Sequence, residues 1–216
     1  MDFNDSPEEA AYRETARAWL EKNAAEHKGN ASANGRRPNS PEHMAMAKAW
    51  QTKKAEAGYA CITWPKEWGG GGGTPLQSVI FGQEESKVGV NYGYFTIGLG
   101  MCVPTVMAFA DAETKTRFVG PAMRGEEIWC QLFSEPAGGS DVAATRTKAV
   151  RDGDEWVING QKVWTTGAQY CDYGILLVRT DPDVPKHKGL TMFWIDMHDP
   201  AVEVRPIHQA SGGSEF

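Results

Sequence analysis

The chain has 216 residues, a net charge of -6 and 41% hydrophobic residues, enough for one large or two small soluble domains around packed cores. No basic stripe offsets the acidic balance, which argues against nucleic acid as the main partner, because phosphate neutralisation needs clustered Lys and Arg. Cys61, Cys102, Cys130 and Cys171 are scattered with no Cys-x-x-Cys or Cys/His grouping, so neither a disulfide framework nor a metal site is expected.

The N-terminus, "MDFNDSPEEAAYRETARAWL", has neither an apolar signal core nor an Arg-rich transit composition, and a cytoplasmic location is expected. Ser6-Pro7-Glu8-Glu9 forms a capping box with Pro at the first helical position, followed by Tyr12, Ala16, Trp19 and Leu20 at helical spacing. Residues 24–39 are polar and rich in Gly, Asn and Ser, the composition of a loop. A second helix is predicted from Pro41, with Met44, Ala47 and Trp50 on one face and a stop at Gly58. The run Gly69 to Gly73 lacks a following Gly-Lys-Ser/Thr, so it reads as a flexible loop rather than a phosphate cradle. Helical pattern resumes from Pro75 to Arg124 with a break near Asp111. Within it, "VNYGYFTIGLGMCVPTVMAFA" has membrane-span length, but its Asn, Gly, Thr and Pro content predicts a buried core helix, not a membrane span.

From Ile128 the pattern changes to short β-branched and aromatic runs: "IWCQLF", "EWVIN", "QKVWTT", "GILLVRT", "LTMFWIDM" and "VEVRPI". Asp152-Gly153 and Asn159-Gly160 sit where type I′ hairpin turns want them. Helices followed by strands, without βαβ alternation, predict an α+β chain. Its expected parts are an all-α domain over 1–127 and an antiparallel β-barrel or sandwich domain over 128–216. A doubly wound dinucleotide fold is not expected.

Two segments carry chemistry. In "CQLFSEPAGGSD", Pro136 ends a strand, while Gly138 and Gly139 with the Ser140 hydroxyl offer close backbone approach to an anionic oxygen. A plain strand-ending turn is the competing reading. In "NGQKVWTTGAQ", Trp164, Thr165 and Thr166 place one flat ring beside two hydroxyls, though each is also a good strand or core residue.

Together with "WPKEWGG", "GLTMFWIDM" and "GGSEF", these segments resemble the acyl-CoA dehydrogenase family along almost the whole chain. "FSEPAGGSD" is similar to its Thr/Ser-Glu-Pro-Gly-Ala-Gly-Ser-Asp signature, and "WVINGQKVWTTGA" to its Asn-Gly-x-Lys-x-Trp-Ile-Thr-Asn strand. Ser134 stands for the commoner Thr, Thr165 for an apolar residue, Gly167 for Asn, and Gln131 for an aromatic or apolar residue.

The resemblance implies FAD as cofactor, held by Gln131, Leu132, Phe133, Ser134, Gly139, Ser140, Trp164, Thr165 and Thr166. Ser134 would bond the pyrimidine end of the flavin, Trp164 cover its dimethylbenzene side and Thr166 stand near N5. It also implies an acyl-CoA substrate touched by Ser140, Lys186 and His187, with an acyl pocket lined partly by 96–104. The implied reaction is α,β-dehydrogenation to a trans-2-enoyl-CoA in fatty-acid oxidation, with electrons passed to an electron-transfer flavoprotein by a homodimer or homotetramer. The family's general base is a glutamate of a later helical domain, so none of the glutamates here is expected to fill that role, and the 216 residues correspond to little more than half of such an enzyme. A flavin monooxygenase or acyl-CoA oxidase of the same fold, or a non-catalytic partner subunit, are the alternative readings.

Overall fold

The structure, a computed structural model, describes residues 4–27, 40–90, 92–210 and 212–216. It falls into two compact units, Met1–Gly93 with Ala110–Glu126, and Tyr94–Phe109 with Glu127–Phe216.

The first unit is helical. Helix α1, Pro7–Asn23, opens with the predicted capping box: Ser6 Oγ accepts from the Glu9 amide, and the Glu9 carboxylate accepts from the Ser6 amide. Helix α2, Pro41–Glu56, is capped by Ser40 and buries His43, Ala47, Trp50 and Gln51, whereas Met44 is only half-buried. Gly58 lies just past its end with φ 76°, the left-handed stop that the sequence predicts. Helix α3, Pro75–Val88, buries Glu84, whose carboxylate accepts from Arg13, Arg17 and Lys87, so α1 and α3 are tied by charge as well as packing. Helix α5, Ala112–Met123, starts at the predicted break, with Asp111 as its cap. Of the expected loop over 24–39, residues 25–27 form a 3-10 turn and 28–39 lie outside the described residues.

The glycine run departs from the flexible loop expected of it. The amides of Gly70, Gly71, Gly72 and Gly73 donate back to carbonyls of Pro65, Cys61, Trp64 and Ile62. A Cβ at Gly70 would stand 2.3 Å from the Trp64 carbonyl oxygen, so glycine is needed there for close backbone packing.

His27 gives this unit a pH dependence. Its buried ring lies 3.0 Å from the Tyr92 hydroxyl and beside Trp50. Burial, then the charge of Lys53, outweighs the pull of Glu26 and holds the imidazole below its ordinary value. The unfolded chain therefore takes up this proton first, near pH 6.5. Its stabilising contribution is complete above that pH and is lost as pH falls toward the folded-state value. Urea midpoints between pH 7.5 and 5 are expected to fall more steeply for the natural protein than for His27→Gln; parallel slopes would refute this.

The second unit holds a five-stranded sheet: β1 Trp129–Leu132, β2 Lys148–Asp152, β3 Glu155–Asn159, β4 Tyr173–Arg179 and β5 Leu190–Asp196. Among the described residues its order is β1-β4-β2-β3, with β5 also on β4. Pairs β2–β3 and β4–β5 are antiparallel, but β1 and β2 both run parallel to β4. The expected antiparallel barrel or sandwich is therefore corrected to an open, mixed sheet. The chain leaves β1 through a long excursion before β4, and that spacing permits a parallel return.

The segment 94–109 clusters with this sheet rather than with the other helices, unlike a single cut after residue 127. It contains a π-helical turn, Gly98–Cys102, followed by α4, Val103–Phe109. Gly98 lies against Trp129, where a Cβ would come within 3.1 Å of the Trp129 Cβ, and the Cys102 thiol donates to the Cys130 carbonyl. Among the described residues no helix is long and apolar enough to cross a membrane.

Both predicted hairpin turns change. The β2–β3 loop is Gly153-Asp154, with left-handed φ only at Gly153, a II′ pattern instead of I′ at Asp152-Gly153. Asn159-Gly160 forms no hairpin: residues 160–165 lie outside the sheet, as do 202–207. Gly160 instead meets Thr147, where a Cβ would stand 2.6 Å from the Thr147 Cα.

Candidate functional site

The site is assembled where the end of β1 meets the segment 160–166. The Val163 amide donates to the Ser134 carbonyl (2.9 Å), so Trp164, Thr165 and Thr166 begin directly beside Ser134. Past Ser134 the chain folds back on itself: the Glu135 amide donates to the Gly138 carbonyl and the Gly138 amide returns a bond to the Glu135 carbonyl. This closes a tight turn over Pro136-Ala137 and delivers Gly139 back to Ser134. A Cβ on Gly139 would lie 3.6 Å from Ser134 Oγ, an ordinary contact, and one on Gly138 would meet nothing within 4 Å. The fold itself does not demand glycine at either position.

Beneath this surface is a buried ion pair. Lys162 Nζ donates to the Glu135 carboxylate (2.9 Å) and to the Phe133 carbonyl (3.0 Å). The carboxylate also accepts from the amides of Arg146 (2.7 Å) and Thr147 (2.8 Å). Burial pushes the Glu135 carboxyl up, but its bonds from Thr147, Lys162 and Arg146 outweigh that and hold it at about 2. So engaged, Glu135 is a poor proton acceptor near neutral pH.

Trp164 is the one non-glycine residue with positive φ (61°) among the described residues, and the residue is 59% exposed. For a bulky aromatic the left-handed region is strained. Its ring meets Phe216 edge-on at 5.7 Å, and that C-terminal segment is fastened by the Gly167 amide to the Glu215 carbonyl and by Gln169 Nε2 to the Ser214 carbonyl. Thr165 is buried and Thr166 half-buried. Gln131 and Phe133 are half-buried, whereas Leu132 turns inward beside Gly174, leaving only its backbone for a ligand.

Ser140 is exposed and belongs to a second group. Its neighbour Asp141 accepts from Lys186 Nζ (2.6 Å), so the 181–189 loop is drawn to the Ser140 loop. Arg179 pins the same two loops by donating to the carbonyls of Thr145, Ala143 and Lys186. Between them lies a cavity of about 540 Å³ whose lining includes Arg146, Lys148, Arg179, Pro182, Val184 and Lys186. Four cationic side chains stand in a lining that is otherwise mostly apolar, an arrangement suited to an anion that also carries apolar groups. His187 is exposed and close enough for its charge to act on Asp141.

Sequence reasoning missed Lys162, Arg146 and Arg179. The available signal was a charged residue within an apolar run, Lys162 in "QKVWTT" and Arg179 closing "GILLVR".

A family model for the acyl-CoA dehydrogenase N-terminal domain matches residues 6–126, and one for the acyl-CoA dehydrogenase middle domain matches 130–215. Among curated proteins of Mycobacterium tuberculosis, acyl-CoA dehydrogenase FadE34 is 43% identical over 77% of this chain and 23% of its own length. Acyl-CoA dehydrogenase IpdE1 is 35% identical over 95% of this chain and 53% of its own. The chain thus spans about half or less of these relatives. Among solved structures, the ChsE4-ChsE5 complex of the same organism superposes with a TM-score of 0.78 (29% identity; 99% of this chain, 52% of that one). A protein described as the Tcur3481-Tcur3483 steroid ACAD gives 0.77 (26% identity; 99% and 54%).

Proposed function

Because the chain belongs to the acyl-CoA dehydrogenase family, we propose that it supplies the flavin-facing surface for FAD-dependent α,β-dehydrogenation of an acyl-CoA thioester. The observation that carries the reading is Trp164, a wide flat side chain held in a strained backbone and left open to solvent. Strain of this kind persists where the surrounding structure enforces it, commonly at ligand sites. A planar ring resting on the indole gives both its exposure and its strain a purpose.

The residues fit a flavin. Ser134 would offer its hydroxyl to the pyrimidine end, Trp164 would cover the dimethylbenzene side, and Thr166 would bring a hydroxyl toward N5. Gly139, where the fold has space for a Cβ, would leave room for the pyrophosphate, and the exposed Ser140 would offer its hydroxyl beside it. FAD, when bound, supplies the hydride-accepting chemistry. The chain's own residues bind and orient it. Lys186, His187 and the cationic cavity beside Ser140 are assigned to the phosphates of CoA. Glu135 is not the base that removes the α-proton, because its carboxylate is committed to three donors.

Electron-transfer flavoprotein is the proposed acceptor, and a homodimer or homotetramer the proposed assembly. The name of one solved relative, a steroid ACAD, adds bulky steroid thioesters to the substrates worth testing. The test is anaerobic visible absorption of the FAD-supplemented protein with short-chain, long-chain, branched and steroid-side-chain acyl-CoA thioesters. Bleaching of the oxidised flavin by one of them is expected; a protein that never acquires flavin, or whose flavin none of them bleaches, contradicts the proposal.

A further inference from the structure

We propose that Lys162 and Glu135 are positioning residues that set the spacing of the flavin surface, by clamping the Phe133–Glu135 strand end to the segment that carries Trp164, Thr165 and Thr166. This rests on the flavin reading above and deepens it.

The two residues are 27 positions apart, and their side chains are 5% and 7% exposed. Lys162 Nζ reaches the residues on both sides of Ser134, the Phe133 carbonyl and the Glu135 carboxylate. Ser134 is therefore bracketed by one ammonium. The next residue along the other segment, Val163, bonds the Ser134 carbonyl, and the residue after it is Trp164. The hydroxyl assigned to one end of the flavin and the indole assigned to the other are thus referenced to a single buried group.

The carboxylate extends the clamp to a third segment through the amides of Arg146 and Thr147, which lead into β2. Arg146 also lines the cationic cavity. One side chain thereby indexes the flavin surface to the loop assigned to CoA.

A role in stability alone does not call for charges here. Desolvating two ions is costly, and well-packed apolar residues of similar volume are often equally stabilising or better. What an apolar pair cannot supply is direction. Lysine presents three donors and no acceptor, and at this site it fixes two acceptors on one strand end at hydrogen-bond length. Packing constrains volume; the ammonium constrains the path of the backbone at Phe133.

Removing one charge leaves the other buried and unpaired, so Lys162→Met alone confounds folding with positioning. The double variant Lys162→Met with Glu135→Gln removes both charges while the amide oxygen can still accept from one of the two backbone amides, Arg146 or Thr147. The full chain is examined as natural protein, single variant and double variant. The readouts are urea midpoint, FAD affinity by fluorescence titration and the visible absorption envelope of bound flavin. The double variant is expected to regain most of the stability lost in the single one, yet to bind FAD at least about tenfold more weakly, ~1.4 kcal/mol, with a shifted absorption envelope. Natural-like affinity and envelope in the double variant would overturn the positioning role while leaving the flavin reading intact. Failure of the natural protein itself to bind FAD saturably would overturn both.

Discussion

Glu135→Ala is expected to destabilise the sheet unit by about 3–5 kcal/mol, the cost typical of breaking a buried ion pair from one side. The change strands the Lys162 ammonium, 5% exposed, beside the Phe133 carbonyl at 3.0 Å and removes the acceptor of two backbone amides. Glu135→Gln should cost less, because its amide oxygen can still accept. The same carboxylate predicts an acid limit. Held at about 2 in the folded state, against roughly 4.3 when unperturbed, it contributes stability that is complete above the unfolded value and is lost as pH falls toward the folded one. Urea denaturation should show this acid loss in the natural protein and a shallower one in Glu135→Gln. A Glu135→Ala loss below about 1 kcal/mol, the level of an exposed pair, would contradict a buried clamp.

Trp164→Gly should separate stability from binding. A non-glycine residue at φ 61° carries left-handed strain of about 1–2 kcal/mol, which Trp164→Ala retains and Trp164→Gly releases. Glycine's greater freedom in the unfolded chain returns part of that gain. The ligand-free glycine variant is therefore expected to be more stable than the alanine variant by roughly 0.5–1 kcal/mol. Both variants lack the indole, and both should bind FAD at least about tenfold more weakly than the natural protein. Glycine and alanine variants of equal stability would argue against strain at this position, and FAD affinity unchanged in both would remove Trp164 from the flavin surface.

What the sequence discloses is what local chemistry fixes. Ser6 with Glu9, Pro41, Pro75 and Asp111 mark helix starts by supplying hydrogen-bond partners or a preset φ within one turn, and the helices begin there. Strand runs such as Tyr173–Arg179 are visible as apolar stretches, but their partners are not. Trp129 pairs with Tyr173 across 44 residues in parallel, a choice made by tertiary packing. Glycine misleads most. Gly160 looks like a hairpin turn and is a close approach to Thr147, and the run from Gly69 looks loose and is packed backbone to backbone.

The candidate site divides in the same way. Ser134, Gly139, Trp164 and Thr166 stand out through a motif resemblance, and the fold brings the strand-end and Trp164 segments together. Lys162 and Glu135 each fall within one of the two motifs, but only folding shows that they meet and that water is excluded around them. The left-handed backbone of Trp164 has no sequence signal, since aromatic residues rarely adopt it.

The most direct measurement is a crystal structure of the protein grown with FAD. An isoalloxazine is expected along residues 131–134, its dimethylbenzene side covered by Trp164, the Thr166 hydroxyl toward N5 and the pyrophosphate beside Gly139 and Ser140. A flavin bound elsewhere, or a saturated crystal in which Trp164 and Ser134 touch no part of it, would contradict the account.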